Sequence, residues 1–185
     1  MDKFLVNGPC RIKGQVNIQG SKNAALPILA STILFDRPVI IKNLPRVKDI
    51  DTMLNLLKSL GLKVQLFKHE KTVRISNNKK LKFLASYSLV KTMRAGILVL
   101  GPMISKYHKS ITSLPGGCLI GARPVNFHLN ALKKLGMKYE IKKGYIHAKS
   151  KGKLKGAKIK FPKISVGATE NSIIAACLAK GETIL

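Results

Sequence analysis

With 185 residues and 45% hydrophobic content the chain can bury a core, which excludes a disordered tail. Its apolar stretches, Ala24 to Phe35 and Ala95 to Ile104, are interrupted by Pro27, Ser31, Thr32 and Pro102 and fall short of the roughly 20 residues that cross a bilayer. The net charge of +26 would suit a polyanion, yet the excess is 28 Lys against 6 Arg, aromatic residues make up 5% and Trp is absent. That profile fits drift toward AT-rich codons better than a nucleic-acid reader, which needs Arg forks and stacking rings, so neither nucleic acid nor membrane is expected as a partner.

In chain order, the start carries Asp2 and Lys3 and then alternates apolar with polar residues. It lacks the apolar run and small-residue cleavage site of a signal peptide, which predicts a cytoplasmic location. A small-residue helix opens at Gly20-Ser21-Lys22-Asn23-Ala24-Ala25 and leads into Leu34 to Ile40. An amphipathic helix then ends in Leu56-Leu57-Lys58-Ser59-Leu60-Gly61, with the glycine where a helix exit needs positive φ, followed by an alternating strand over Leu62 to Phe67. Lys91 to Ile111 reads as a divergent copy of the first helix unit. The helix opened by Arg123 and Pro124 runs through Leu135, and Ala131 to Tyr139 repeats Leu56 to Val64 at an offset of 75 residues, with its strand over Met137 to Ile141. Gly167 to Asn171, leading into Leu178 to Ile184, returns to the first helix type. The chain therefore reads as an α/β fold of two full helix-strand-helix-strand repeats and a third that stops after its first helix and strand.

Three cysteines, Cys10, Cys118 and Cys177, stand at wide and unrelated spacings, which argues against a disulfide framework and against a thiolate metal site. Pro115, Gly116 and Gly117 place Cys118 on a loop, where nearby Arg123 and lysines would favour the thiolate; a reactive thiol and a buried inert one are both open from local physics. Three helix starts combine a cation with free backbone N–H groups: Lys22-Asn23, Arg123, and Lys163 with Ser165 and Gly167. Together they point to a phosphorylated ligand. No metal and no cofactor are expected.

The series Gly20 to Pro27, Val90 to Ala95, Leu114 to Pro124 and Ser165 to Asn171 resembles, in order, the motifs of the UDP-N-acetylglucosamine 1-carboxyvinyltransferase family. The resemblance runs from Met1 to Leu185 and implies the inside-out α/β barrel of enolpyruvyl transferases, built of βαβαββ-type units. Residues 20–185 would be a first domain incomplete at its C-terminal end, and residues 1–19 a strand segment joining the second domain. It implies that Lys22 and Asn23 bind phosphoenolpyruvate and that Cys118 is the general acid, able to form a covalent adduct. Arg94, Arg123, Pro124, Val125, Asn126, Phe127, Lys163, Ile164, Ser165, Val166 and Gly167 would bind UDP-N-acetylglucosamine. Asn126 departs from the Asp common in the family, which keeps hydrogen-bonding capacity and loses a charge. Family chains are more than twice as long, and their catalytic Asp and further arginines lie in the portion absent here. The resemblance therefore allows two alternatives, an enzyme completed by a separate C-terminal half and a noncatalytic fragment; a basic nucleic-acid-binding module is a remote third.

Overall fold

The computed structural model describes residues 3–67, 71–77, 81–91, 93–115 and 125–185. Helix α1 (Lys22–Ser31) runs into a short 3-10 turn and then strand β1 (Val39–Ile41). Helix α2 (Lys48–Ser59) is followed by the antiparallel pair β2 (Lys63–Phe67) and β3 (Thr72–Ser76). After β4 (Leu84–Ala85) and the one-turn α3 (Tyr87–Val90), a 3-10 helix over Arg94–Val99 passes into α4 (Leu100–Tyr107) and β5 (Lys109–Ser113). Helix α5 (Asn126–Lys134), the pair β6 (Lys138–Lys142) and β7 (Tyr145–Lys149), and helix α6 (Val166–Ala176) complete the order.

The expected repeat is present in three dimensions. Helices α2 and α5 each end in the same hydrogen-bonded exit: the Leu62 N–H donates to the Leu57 carbonyl at 3.1 Å and the Gly61 N–H to Lys58 at 2.9 Å, while Met137 donates to Leu132 and Gly136 to Lys133, both at 3.0 Å. Gly61 and Gly136 sit at φ +98° and +105°, where an L side chain is strained, and Leu62 and Met137 are buried just beyond. Each exit feeds a hairpin, with Lys63 opposite Ser76 in one and Lys138 opposite Lys149 in the other. The first sheet has the order β1-β3-β2 and is antiparallel; the second has the order β4-β5-β7-β6, with β4 parallel to β5. After α6, Lys180 and Ile184 bridge in parallel to Lys155 and Lys158, so the third unit pairs its strand as the second does. The described strands form these two sheets and do not close into a barrel.

Helix α4 explains the longest apolar run. Met103 belongs to the core shared with α1, α2 and the first sheet, while Leu100 and Ile104 belong to the core shared with α5, α6 and the second sheet. Buried on both sides, α4 needs no polar stripe. The apolar stretch Ala95 to Ile104 is not one continuous α-helix, since Arg94–Val99 is wound as 3-10 helix before α4 begins. The exit of α4 also departs from the glycine rule: His108 itself takes φ +61°. Residues 3–20 form neither helix nor strand, and Phe4, Ile12, Val16 and Ile18 are exposed. Among the described residues no helix is long and apolar enough to cross a membrane.

A Cβ built on Gly136 meets no atom within 4 Å, so only the backbone conformation resists a side chain there. Gly136→Ala is expected to lower unfolding stability by about 1 kcal/mol, measured by urea denaturation. A neutral or stabilising result would show that the positive φ is not held in solution.

Candidate functional site

The expected site residues lie at helix starts. At α1, Ser21 is extended and its side chain makes no capping bond, leaving the first-turn N–H groups without a side-chain acceptor. Lys22 and Asn23 are exposed there. Lys22 Nζ is 2.8 Å from Asp49 Oδ2 in the first turn of α2, a partner that sequence reading did not anticipate. Both groups are more than a third exposed, so the pair is weak and leaves the ammonium free to exchange partners.

At α6, Ser165 is extended and its hydroxyl oxygen accepts from the Ala168 N–H at 3.4 Å, while its carbonyl accepts from the Thr169 N–H at 3.0 Å and hydroxyl at 2.9 Å. The Ser165 hydroxyl is thus already the helix cap, with its own proton left to donate. Lys163 is exposed, Ile164 is 98% exposed and Val166 68%, while Gly167 is half-buried. Unsupported by neighbours, Ile164 and Val166 present apolar surface beside the start of α6.

Arg94 begins the 3-10 helix half-buried, and its Nη2 is buried with no hydrogen-bond partner among the described residues. A guanidinium nitrogen in that position is costly unless an acceptor reaches it. At α5, Val125 and Phe127 are half-buried and Asn126 is exposed. Cys118, Arg123 and Pro124 lie outside the described residues; Cys10 and Cys177 are free and exposed.

The centre of this arrangement is a side chain to which sequence reading gave no role. Asn171, fully buried in α6, accepts from the Gly101 N–H at 2.9 Å through Oδ1 and donates through Nδ2 to the Ile97 carbonyl at 3.2 Å. In a continuous α-helix those two backbone groups would be bonded to each other. The amide therefore spans the junction where the 3-10 helix passes into α4. Nδ2 also lies 3.2 Å from His128 Nδ1 on α5. Arg94 is three residues before Ile97, Asn126 and Phe127 immediately precede His128, and Val166 and Gly167 lie about one turn before Asn171. One amide thus joins three of the elements that carry expected nucleotide-sugar residues. The signal in the sequence was an amide at an otherwise apolar helix position, but nothing there named its partners.

His128 packs over the start of α6, since a Cβ on Gly167 would come 3.4 Å from its ring. Burial pushes its pKa down from 6.5 to about 4, and burial also raises the carboxyl of Glu170 in the second turn of α6. On the outer side of α5 an open groove of about 480 Å³ is lined by Phe127, Phe161, Pro162, Lys133, Lys134 and Lys160 among others, an apolar floor with a cationic rim just ahead of Lys163. Among the described residues no three of His, Cys, Asp and Glu gather as metal ligands.

Between pH 6.5 and about 4 the unfolded chain protonates His128 while the folded chain does not, so acidification through that window lowers stability, and this contribution levels off below about 4. Melting temperatures taken across the window should therefore fall more steeply for the native chain than for His128→Phe. Parallel slopes would contradict the neutral buried imidazole.

Residues 6–185 match the family described as EPSP synthase (3-phosphoshikimate 1-carboxyvinyltransferase). Along its whole length the chain is 60% identical to the UDP-N-acetylglucosamine 1-carboxyvinyltransferase of Pelagibacter ubique and 51% identical to that of Hamiltonella defensa, and it spans 44% of the length of each. Its fold is similar to that of the enolpyruvyl transferase NikO from Streptomyces tendae, with a TM-score of 0.77 at 15% identity over 94% of this chain and 40% of that one. It is similar also to EPSP synthase from Acinetobacter baumannii, with a TM-score of 0.71 at 17% identity over 92% and 39%. These structural likenesses establish the α/β fold of enolpyruvyl transferases.

Proposed function

The chain belongs to the EPSP synthase family of enolpyruvyl transferases, and from that premise we propose that it is the amino-terminal part of a UDP-N-acetylglucosamine 1-carboxyvinyltransferase. The observation that carries the reading is the likeness to the Pelagibacter relative along all 185 residues. The reading is supported by the bonds of one buried amide, Asn171, to Ile97 in the 3-10 helix that Arg94 begins and to His128 next to Asn126 and Phe127. The reaction moves the enolpyruvyl group of phosphoenolpyruvate to the 3-hydroxyl of the sugar, the first committed step of peptidoglycan synthesis, in the cytoplasm, and so serves cell-wall growth and division.

In this reading Lys22 leaves Asp49 to face the charge of phosphoenolpyruvate, with Asn23 beside it. Arg94 supplies its unpartnered nitrogen to the nucleotide sugar. Arg123, Pro124, Val125, Asn126 and Phe127 cover the uridine and diphosphate from one side, and Lys163, Ile164, Ser165, Val166 and Gly167 from the other. The sugar 3-hydroxyl gives its proton to the catalytic Asp that the resemblance places in the remaining portion, its oxygen bonds to C2 of phosphoenolpyruvate, and the Cys118 thiol gives its proton to C3. The tetrahedral adduct then returns a proton from C3 to the Cys118 thiolate as its C2–O bond to phosphate breaks, and phosphate leaves with the proton held by the Asp, giving the enol ether and inorganic phosphate. Neutral Asn126 keeps hydrogen-bonding capacity and makes the pocket one charge more positive than Asp would. Residues 20–185 are the first domain in this scheme and residues 1–19 pass to the second.

Cys10 and Cys177 are both exposed and so open to labelling. Recognition of a phosphonate predicts that the epoxide fosfomycin should nevertheless alkylate Cys118 fastest, its ring carbon bonding to sulfur as the C–O bond opens. Mass-spectrometric mapping of the folded chain, with the remaining portion of a relative supplied, would read the order. Equal labelling of all three cysteines would remove Cys118 as the general acid.

The activity belongs to the whole enzyme, of which this chain matches less than half the length. Positioning and water exclusion in a closed cleft contribute many orders of magnitude. Phosphate release by the 185 residues alone is therefore expected to be undetectable, and a complementary carboxy-terminal portion is expected to raise it. Robust turnover by the chain alone would refute this assignment of the missing chemistry and the noncatalytic-fragment reading together.

A further inference from the structure

Asn171 takes no part in the chemistry above, yet its bonding leaves it no freedom. Its oxygen must be the acceptor, because it faces the Gly101 N–H at 2.9 Å, and its nitrogen must be the donor, because it faces the Ile97 carbonyl at 3.2 Å. The same nitrogen lies 3.2 Å from His128 Nδ1, so that ring nitrogen has to be the bare acceptor and the proton sits on Nε2. Residue 101 cannot carry a side chain, since a Cβ there would collide with Asn171 Oδ1. The three bonds run to the end of the 3-10 helix, to the start of α4 and to the first turn of α5, while Asn171 itself belongs to α6.

We propose that Asn171 and His128 form a positioning clasp for the nucleotide-sugar site, holding Arg94, the Asn126–Phe127 turn and the Val166–Gly167 turn at the spacing that UDP-N-acetylglucosamine requires. The proposal rests on the reading of those residues as the nucleotide-sugar pocket. The clasp acts at a point where backbone geometry changes from 3-10 to α, so a shift in the amide moves the start of α4 relative to Arg94. It also acts where α5 and α6 meet: the His128 ring both accepts from the amide and lies against Gly167. Losing the acceptor frees α5 to slide on α6 without emptying either core, because the His128 side chain is only half-buried and the packing residues Leu129, Leu132 and Leu135 remain.

The test uses the 185-residue chain and His128→Phe, which keeps a ring and removes the acceptor, with His128→Asn, which restores a short-range acceptor near the position of Nδ1. His128→Ala serves as a second acceptor-free variant should Phe fit poorly. UDP-N-acetylglucosamine is titrated by NMR, which reads affinities into the millimolar range, and each variant is melted. His128→Phe should weaken binding about tenfold through the lost positioning, with a melt near that of the native chain at neutral pH because Asn171 Nδ2 keeps the Ile97 carbonyl as its acceptor, and His128→Asn should recover most of the affinity. In native protein the histidine ¹⁵N shifts should show Nδ1 unprotonated. Native-like affinity in His128→Phe and His128→Ala, or a protonated Nδ1, would overturn the clasp while leaving the pocket in place. A native chain that does not bind the nucleotide sugar at all would overturn the pocket reading and the clasp with it.

Discussion

Helix α4 lies in two hydrophobic cores at once, and its close approach to α6 depends on a position without a side chain. At Gly101 the backbone of α4 meets Asn171 so closely that even a methyl group would collide with the amide oxygen. Four residues further on, the Ser105 hydroxyl donates to the Ala175 carbonyl at 2.7 Å, so the contact is polar at both ends and apolar between. A helix with no solvated face must settle every polar group inside the protein. Here α6 does so for the Gly101 N–H and the Ser105 hydroxyl, and the two cores are thereby joined. Moving α4 away would open both cores, which is why the site residues carried on its flanks share one frame.

That frame also shows which parts of the fold were legible in the residues. The glycine exits of α2 and α5 could be read because local backbone demands at Gly61 and Gly136 are written in the sequence itself. The apolar stretches Ala24 to Phe35 and Ala95 to Ile104 were visible as well, as mainly apolar runs too short for a bilayer. What could not be read were choices decided by distant partners. The 3-10 winding from Arg94 to Val99 ends where an amide from residue 171 takes up backbone groups of residues 97 and 101, relations across 74 and 70 positions. His108 adopts a left-handed exit without glycine, with its ring nitrogen 3.2 Å from the hydroxyl of Ser150, again a distant group.

The site was legible as residues and not as geometry. Motif order placed Lys22, Arg94, Asn126, Phe127 and the Ser165 to Gly167 turn, all of which start helical elements. It did not reveal that Lys22 has Asp49 opposite it, that Ser165 already caps its helix, or that Arg94 holds a buried nitrogen without a partner among the described residues. Each of these alters the chemistry expected of the residue. The lysine can exchange one anion for another at little cost, the serine keeps its proton to donate while its oxygen caps the helix, and the arginine gains most from an acceptor that fits its pocket.

The distribution of acidic residues connects these details to the overall charge. Helix α2, which carries no expected ligand residue, has Asp49 and Asp51 in its first turn, where carboxylates offset the positive end of the helix dipole. Helices α1, α5 and α6, whose first turns carry the expected ligand residues, have no acid there. With only 8 acidic residues in the chain, scarcity leaves other helix starts bare too, those of α3 and α4 included, so the two in α2 are notable for their place beside α1. Asp49 then serves α1 as well, since it is the group that Lys22 contacts while the lysine waits beside an open helix end. The carboxylate stabilises α2 and pairs with the cation of α1; under the proposed function a phosphate would compete for that cation against a single, solvent-screened charge, and a dianion that also reached the N–H groups at the start of α1 should win.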